Sequence, residues 1–200
     1  MKSLLTRNAV LSALSVVLLA APVAMAKEHE QKMDEKAMPE MSAMQMPQPT
    51  EEHAWLKQLV GTWDSQVETM ASPAGPGEKS AATEVVKPLG EFWVTNDVDG
   101  TMMGKPYQGQ MTIGYDADKD KYVGSWIDSM TGTAWHYEGV VDGNKLVLEA
   151  EGTCPMMNKP MKMKEITELK DANHKEMTSL MLGENGEWVP MMKIESVRQQ

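Results

Sequence analysis

The feature that most constrains the fold is the alternation of apolar and polar residues that begins after Trp63. Successive side chains of a β-strand point to opposite faces, so this period of two is typical of strands with one buried face. Turn residues recur about every ten positions, which is the spacing of an antiparallel meander with about ten strands. The candidate strands are Asp64–Met70, Ser80–Pro88, Phe92–Gly100, Tyr107–Tyr115, Lys121–Asp128, Thr133–Val141, Lys145–Glu151, Met161–Lys170, Lys175–Leu182 and Trp188–Val197.

Two of the connections have the composition of tight hairpins. Asp142-Gly143-Asn144 and Glu184-Asn185-Gly186 supply residues that tolerate positive φ. A sheet of this many consecutive strands tends to close on itself, because closure removes its exposed edges. The sequence therefore predicts an all-β fold, an antiparallel up-and-down barrel.

One short helix is predicted before the first strand. In the segment Glu51 to Leu59, the side chains of Trp55, Leu56 and Leu59 fall on one helical face. We expect this apolar face to pack against the barrel, and we expect the barrel domain to span residues 51–200.

Residues 1–26 have the composition of a secretory signal peptide. Lys2 and Arg7 precede an apolar run from Ala9 to Ala21, and Ala24-Met25-Ala26 supplies a cleavage site. The apolar run is shorter than the roughly twenty residues that span a bilayer, although a membrane anchor is the alternative. We expect a periplasmic or secreted protein, cleaved after Ala26, with no membrane anchor after signal cleavage.

The charge of the chain restricts its partners. The chain has 29 acidic against 19 basic residues and a formal net charge of −10. Removal of Lys2 and Arg7 with the signal peptide makes the mature chain more negative still. Such a surface repels nucleic acid and attracts cations, so no nucleic-acid partner is expected.

Residues 27–50 are predicted to be a disordered, methionine-rich arm, because they contain no aromatic residue and almost nothing that could form a core. Thioethers select soft cations such as Cu(I) or Ag(I), and the arm contains four methionines at short spacing. A second soft cluster falls in a predicted connection between strands. The candidate metal ligands are Met38, Met41, Met44 and Met46 in the arm, and Cys154, Met156 and Met157, with Met161 and Met163 beyond them.

Roles that need no metal also fit these residues. The methionines of the arm are consistent with compositional drift in a tolerant linker, or with a role as sacrificial sites of oxidation. Cys154 is the only cysteine, so it is a free thiol, half of an intermolecular disulfide or a soft metal ligand.

Several motifs together resemble one bacterial family. The segment from Trp55 to Trp63 is similar to the short-helix, glycine and tryptophan opening of lipocalin-like barrels. Together with the segment Met102 to Gly109, with Gly114-Tyr115-Asp116 and with the segment Trp126 to Met130, it resembles the family called domain of unknown function 1579. The resemblance covers about Glu51 to Arg198, and it implies a calycin-like (lipocalin-like) barrel with no established activity.

Seven strand or near-strand residues are candidates for lining a ligand cavity, since such cavities are mainly apolar with a few polar groups. They are Trp63, Trp93, Tyr107, Trp126, Trp135, His136 and Tyr137. The alternative is that the aromatic rings simply fill the barrel. A related class of small barrels holds haem through a strand histidine, which is why His136 is included, but an ordinary hydrogen-bonded histidine is the favoured interpretation and haem is not expected.

No familiar catalytic motif is present in the sequence. We therefore predict a non-enzymatic, exported binding protein that holds a small apolar ligand in or near the barrel. The alternative prediction is a soft-metal-sequestering or oxidative-stress-protective protein that uses the arm and the Cys154 cluster.

Overall fold

The computed structural model describes residues 46–71, 76–154 and 158–200. The predicted signal peptide and all of the predicted arm before Met46 lie outside these residues. The described chain contains one helix and ten strands. In chain order they are α1 (Glu51–Lys57), β1 (Gly61–Thr69), β2 (Lys79–Leu89), β3 (Trp93–Met102), β4 (Lys105–Asp116), β5 (Lys121–Asp128), β6 (Trp135–Asp142), β7 (Lys145–Cys154), β8 (Lys159–Leu169), β9 (His174–Leu182) and β10 (Trp188–Arg198).

The ten strands form a closed antiparallel barrel. Each strand pairs with its neighbours in sequence, and β1 also pairs with β10, from Trp63 opposite Arg198 to Thr69 opposite Met192. The predicted up-and-down barrel is therefore confirmed. Gly143 and Gly186 have φ values of 61° and 80°, as the two predicted hairpins require.

The helix covers one end of the barrel, which we call the closed end. Leu56 and Leu59 are buried in one apolar cluster with Trp63 and with residues from the strands at this end. Two hydrogen bonds fix the helix there: the Tyr122 hydroxyl donates to the Glu52 carbonyl (3.0 Å), and the Trp63 indole donates to the Leu59 carbonyl (2.9 Å). No helix among the described residues has the length and apolarity to cross a membrane.

Alternation along β1 shows which positions face the interior, which we call the lumen. Trp63, Ser65 and Val67 are buried, whereas Asp64 and Gln66 between them are exposed. Residues opposite each other in neighbouring strands share a face, so the register extends this assignment around the barrel. On this basis the lumen contains both apolar and charged side chains.

The two ends of the lumen differ in exposure. Near the closed end Trp63, Leu146 and Leu169 are all buried. No described helix or strand covers the other end, and lumen residues there, such as Tyr107, Met161 and Met181, are only half-buried. We call this part of the lumen the open half.

Candidate functional site

Aromatic side chains line one side of the open half. Tyr107, Trp126, Trp135 and Tyr137 occupy lumen positions on β4, β5 and β6, because the register aligns Met111, Trp126 and Trp135 on one face. Trp135 and Tyr137 are buried, at 7% and 2% exposure, whereas Tyr107 and Trp126 are half-buried. This wall is accordingly apolar, with hydroxyl and indole N–H groups at its surface.

Glycines allow the two tryptophan rings to lie against the barrel wall. A Cβ atom added at Gly109 would overlap the six-membered ring of Trp126, and one added at Gly152 would lie 2.6 Å from the ring of Trp135. The rings therefore extend in opposite directions around the barrel, over β4 and over β7. The missing side chains at Gly109 and Gly152 leave the space that the two rings occupy.

Glu165 is a lumen carboxylate beside this aromatic wall. It lies on β8 opposite Leu148 and Ser179, and its Oε1 accepts a hydrogen bond of 3.0 Å from the Tyr137 hydroxyl. Burial raises the pKa of the Glu165 carboxyl, and the Tyr137 hydrogen bond opposes this only in part. A carboxyl group with a raised pKa in an apolar wall can bind a cation or carry a proton.

The pKa of the Tyr107 hydroxyl depends on its burial and on two nearby carboxylates, those of Asp128 and Glu165. Burial raises the pKa of its hydroxyl, and the nearby Asp128 and Glu165 carboxylates raise it further because they disfavour a phenolate. Asp128 lies towards the rim, where its Oδ1 accepts the backbone N–H groups of Met130 and Thr131 at 2.8 and 2.9 Å. Asp128 therefore stabilises the β5–β6 connection, whereas Glu165 accepts its hydrogen bond from the Tyr137 side chain and not from a loop backbone.

A second polar group lies across the lumen, on β1, β2, β9 and β10. Lys175 and Glu84 form a buried ion pair, with Nζ and Oε2 separated by 2.6 Å. The Glu84 carboxylate also accepts hydrogen bonds from Ser65 (2.6 Å) and Ser196 (3.1 Å). Burial by itself would raise the pKa of Glu84, but Lys175 and the hydrogen bonds from Ser65 and Asn96 hold it below its ordinary value.

Five methionines occupy lumen positions on β8, β9 and β10. Met163 on β8 lies directly opposite Met181 on β9, and Met192 on β10 lies opposite Ser179. Met161 on β8 and Met177 on β9 also face the lumen. Because methionine is unbranched and flexible, this side of the lumen can repack around a guest molecule.

Two surface depressions lie on the wall of the barrel formed by β1 and β2. One lies beside Asp64, Gln66 and Thr83, and the other beside Glu68 and Lys79. Neither depression is lined by the aromatic side chains of the open half.

These features are found in a chain that matches a known family. A family model described as a protein of unknown function, DUF1579, matches residues 48–198. The chain belongs to the DUF1579 family. No curated protein matches the chain.

Solved structures support the barrel assignment. The chain is similar to Rv2717c from M. tuberculosis, with a TM-score of 0.57 and 14% identity over 76% of this chain and 100% of that one. It is also similar to the S-type phycobiliprotein lyase CPES from Guillardia theta, with a TM-score of 0.50 and 14% identity over 77% of this chain and 99% of that one. At this identity the likeness concerns the fold alone, and it confirms a calycin-like barrel.

The DUF1579 match includes every predicted ligand-lining residue, but the structure brings only some of them together. Tyr107, Trp126, Trp135 and Tyr137 share the open half. Trp63 faces the lumen at the closed end, where it is fully buried under Arg198, whose guanidinium lies 4.0 Å from the ring centroid. Trp63 is therefore part of the core that closes the barrel.

Two predicted ligand-lining residues lie outside the lumen. His136 is exposed on the outer face of β6, between the buried Trp135 and Tyr137. Trp93 is 38% exposed and lies across Gly114 on the outer face of β3 and β4. The sequence pattern could not assign them, because shifting a strand by one residue exchanges its two faces. We exclude both from the candidate site.

The predicted metal ligands fall largely outside the DUF1579 match or outside the described residues. Met38, Met41, Met44, Met156 and Met157 are not among the described residues, and Met46 is 71% exposed. Cys154 is buried at the end of β7, not in a connection as predicted, and it lies opposite Lys159. Within residues 46–71, 76–154 and 158–200, no three His, Cys, Asp or Glu side chains converge on a metal site.

Sequence reasoning missed the lumen carboxylates. In β8, Glu165 shares its face with Met161, Met163 and Leu169, so it places a charge in a mainly apolar stretch of the alternation. In β2, Glu84 likewise shares its face with Val86. A charged residue at an expected core position is the signal that could have identified both.

Proposed function

We propose that this exported DUF1579 protein is a non-enzymatic binding protein that holds a small, mainly apolar ligand in the open half of its barrel. The observation that carries the proposal is the half-buried aromatic wall, in which two tryptophan rings pack against glycines of the neighbouring strands. Ligand sites are typically apolar with a few polar groups, and Glu165, Tyr107 and Tyr137 supply those groups here. Export and a periplasmic or secreted location are proposed from the composition of residues 1–26.

The methionines opposite this wall support the proposal. Met163, Met181 and Met192 can adopt other rotamers at small cost, so the lumen can open around a guest. The closed end provides a rigid floor, since Trp63 and Leu56 are at 0% and 1% exposure. A barrel with one rigid end and one adaptable end suits a small molecule that enters from the rim.

Titration with the neutral apolar dye N-phenyl-1-naphthylamine tests this function. We expect saturable dye fluorescence with the parent protein and, in Trp126→Ala, an affinity lowered by roughly threefold to tenfold, because the variant loses one stacking surface. Trp93→Ala is the matched control, since this tryptophan also lies over a glycine of β4 but on the outer face. Absence of saturable binding to the parent, or equal affinity in all three proteins, would rule the proposal out.

Soft-metal binding by the arm is the second candidate function. Met46, the one described member of the predicted array, is 71% exposed, so its thioether is available to a cation. The test is anaerobic Cu(I) titration of the mature protein and of a variant with four substitutions, Met38→Leu, Met41→Leu, Met44→Leu and Met46→Leu. We expect the mature protein to bind at least one more equivalent of Cu(I) than the variant. Equal stoichiometry would remove the arm as a metal site.

A further inference from the structure

Glu84 and Glu165, two carboxylates of the lumen, have very different surroundings. Glu84 is paired with Lys175 and accepts further hydrogen bonds from Ser65 and Ser196. Glu165 accepts one hydrogen bond, from Tyr137, and it takes part in no ion pair within the described residues. A carboxylate in an apolar wall is costly unless a cation or a proton neutralises it. Among the described residues, Glu165 is thus a carboxyl group on the ligand side of the lumen without a cationic side chain paired to it.

The groups around Glu165 suit a cation. Its neighbours on the adjacent strands are Leu148 and Ser179. Neither carries a positive charge that could pair with the carboxylate in place of a ligand. Tyr137 and Tyr107 are the titratable groups that face it, with Asp128 beyond Tyr107 towards the rim. Lys175, the buried lysine of the lumen, is already bound to Glu84.

The aromatic wall favours positive charge for an independent reason. The face of an aromatic ring carries negative potential, which attracts ammonium groups. Trp126 and Trp135 occupy lumen positions with their six-membered rings against Gly109 and Gly152, and a guest in the open half would contact these rings. The net charge of −10 adds long-range attraction for a cation approaching from solvent.

We infer that the ligand class is a small organic cation with an apolar body, an amine or quaternary ammonium, whose charge pairs with Glu165 between the aromatic rings. This inference rests on the proposed binding function and specifies its ligand. The apolar body contacts Trp126 and the flexible methionines. The carboxylate replaces the water that the ammonium group loses on entry.

Two probes of the same skeleton test the inference: 4-phenylbutylamine, a cation, and 4-phenylbutan-1-ol, which is neutral. Each is titrated into the mature protein at pH 8 and followed by displacement of N-phenyl-1-naphthylamine. We expect the amine to bind about tenfold or more tightly than the alcohol, because a charge-assisted hydrogen bond is added. In Glu165→Gln the two affinities should become equal, while Asp118→Asn, an equal charge change in the exposed β4–β5 turn, should keep the preference.

A pH series on the unaltered protein gives a second measurement that needs no variant. The pKa of Glu165 is raised, so the amine preference should already decline at a pH above the ordinary carboxyl range, while the amine itself stays protonated. If both probes bind the parent equally, the inference fails and the proposed function stands. If neither displaces the dye and the dye itself does not bind, both fail. A preference that persists in Glu165→Gln assigns the effect to surface charge and also overturns the inference.

Discussion

At the scale of single residues, the pair Glu84–Lys175 shows how the lumen tolerates charge. The two side chains are 8% and 7% exposed, and Lys175 Nζ also lies 5.1 Å from the centroid of the Trp63 ring. Removing two charges from water is expensive, and the cost is offset here by direct pairing and by two serine hydroxyl groups. Stability at this position depends on both partners being present.

Lys175→Met should therefore destabilise the protein by about 3–5 kcal/mol at pH 7, because it leaves a buried carboxylate without its cation. The double variant Glu84→Gln, Lys175→Met should recover much of that loss. Urea unfolding followed by tryptophan fluorescence measures both. Lys193→Met, which breaks exposed pairs with Glu176 and Glu195, is the control and should change stability little. A loss in Lys175→Met no larger than in Lys193→Met would contradict this account of the pair.

The same pair predicts a dependence on pH. The pKa of Glu84 is lowered below its ordinary value of 4.5, so the stabilisation by its charged form is present above that pH and is lost as pH falls through the folded-state pKa. The parent should lose more stability between pH 5 and acid conditions than the double variant does, since glutamine does not titrate. Parallel acid-unfolding curves for the two proteins would show that another group controls the transition.

At the scale of elements, a tryptophan ring from a neighbouring strand packs on each face of β4. Gly109 lies under Trp126 in the lumen, and Gly114 lies under Trp93 on the outer surface. The same strand therefore offers the same local arrangement twice, with the lumen on one side and solvent on the other. Comparing variants at the two glycines therefore distinguishes an effect on strand geometry from an effect on the ligand site.

Gly109→Ala should displace Trp126 into the lumen, lower stability by roughly 1–3 kcal/mol and weaken binding of N-phenyl-1-naphthylamine. Gly114→Ala should move Trp93 towards solvent, with a smaller loss of stability and unchanged dye affinity. Thermal unfolding and dye titration of the two variants check this. Equal dye affinities in Gly109→Ala and the parent would show that Trp126 does not border the site.

At the scale of the whole molecule, closure of the barrel depends on the seam between β1 and β10. Arg198 strengthens this seam at the closed end: it donates to the carbonyls of Gln58, Val60 and Ala172, and it lies over the Trp63 ring. Closure leaves the sheet without an exposed edge strand, because each of the ten strands pairs with a neighbour on both sides. The rigid floor of the lumen and the adaptable open half are consequences of this one arrangement.

The sequence determined the architecture because strand alternation and turn chemistry are local properties. The apolar–polar period after Trp63, Gly143 and Gly186 in the hairpins, and the apolar face with Leu56 and Leu59 were sufficient to predict ten strands, one helix and closure. The family resemblance, also carried by short motifs, was confirmed over residues 48–198.

Only the tertiary structure decided which face of each strand is inside, because a shift of one residue inverts a strand and only the full register fixes it. That register placed Trp93 and His136 outside, and it placed Glu84 and Lys175 together from positions 91 residues apart in the chain. It also placed Glu165 beside Tyr137 without a counterion in the described structure. These pairings link strands far apart in sequence, so they arise only when the barrel closes.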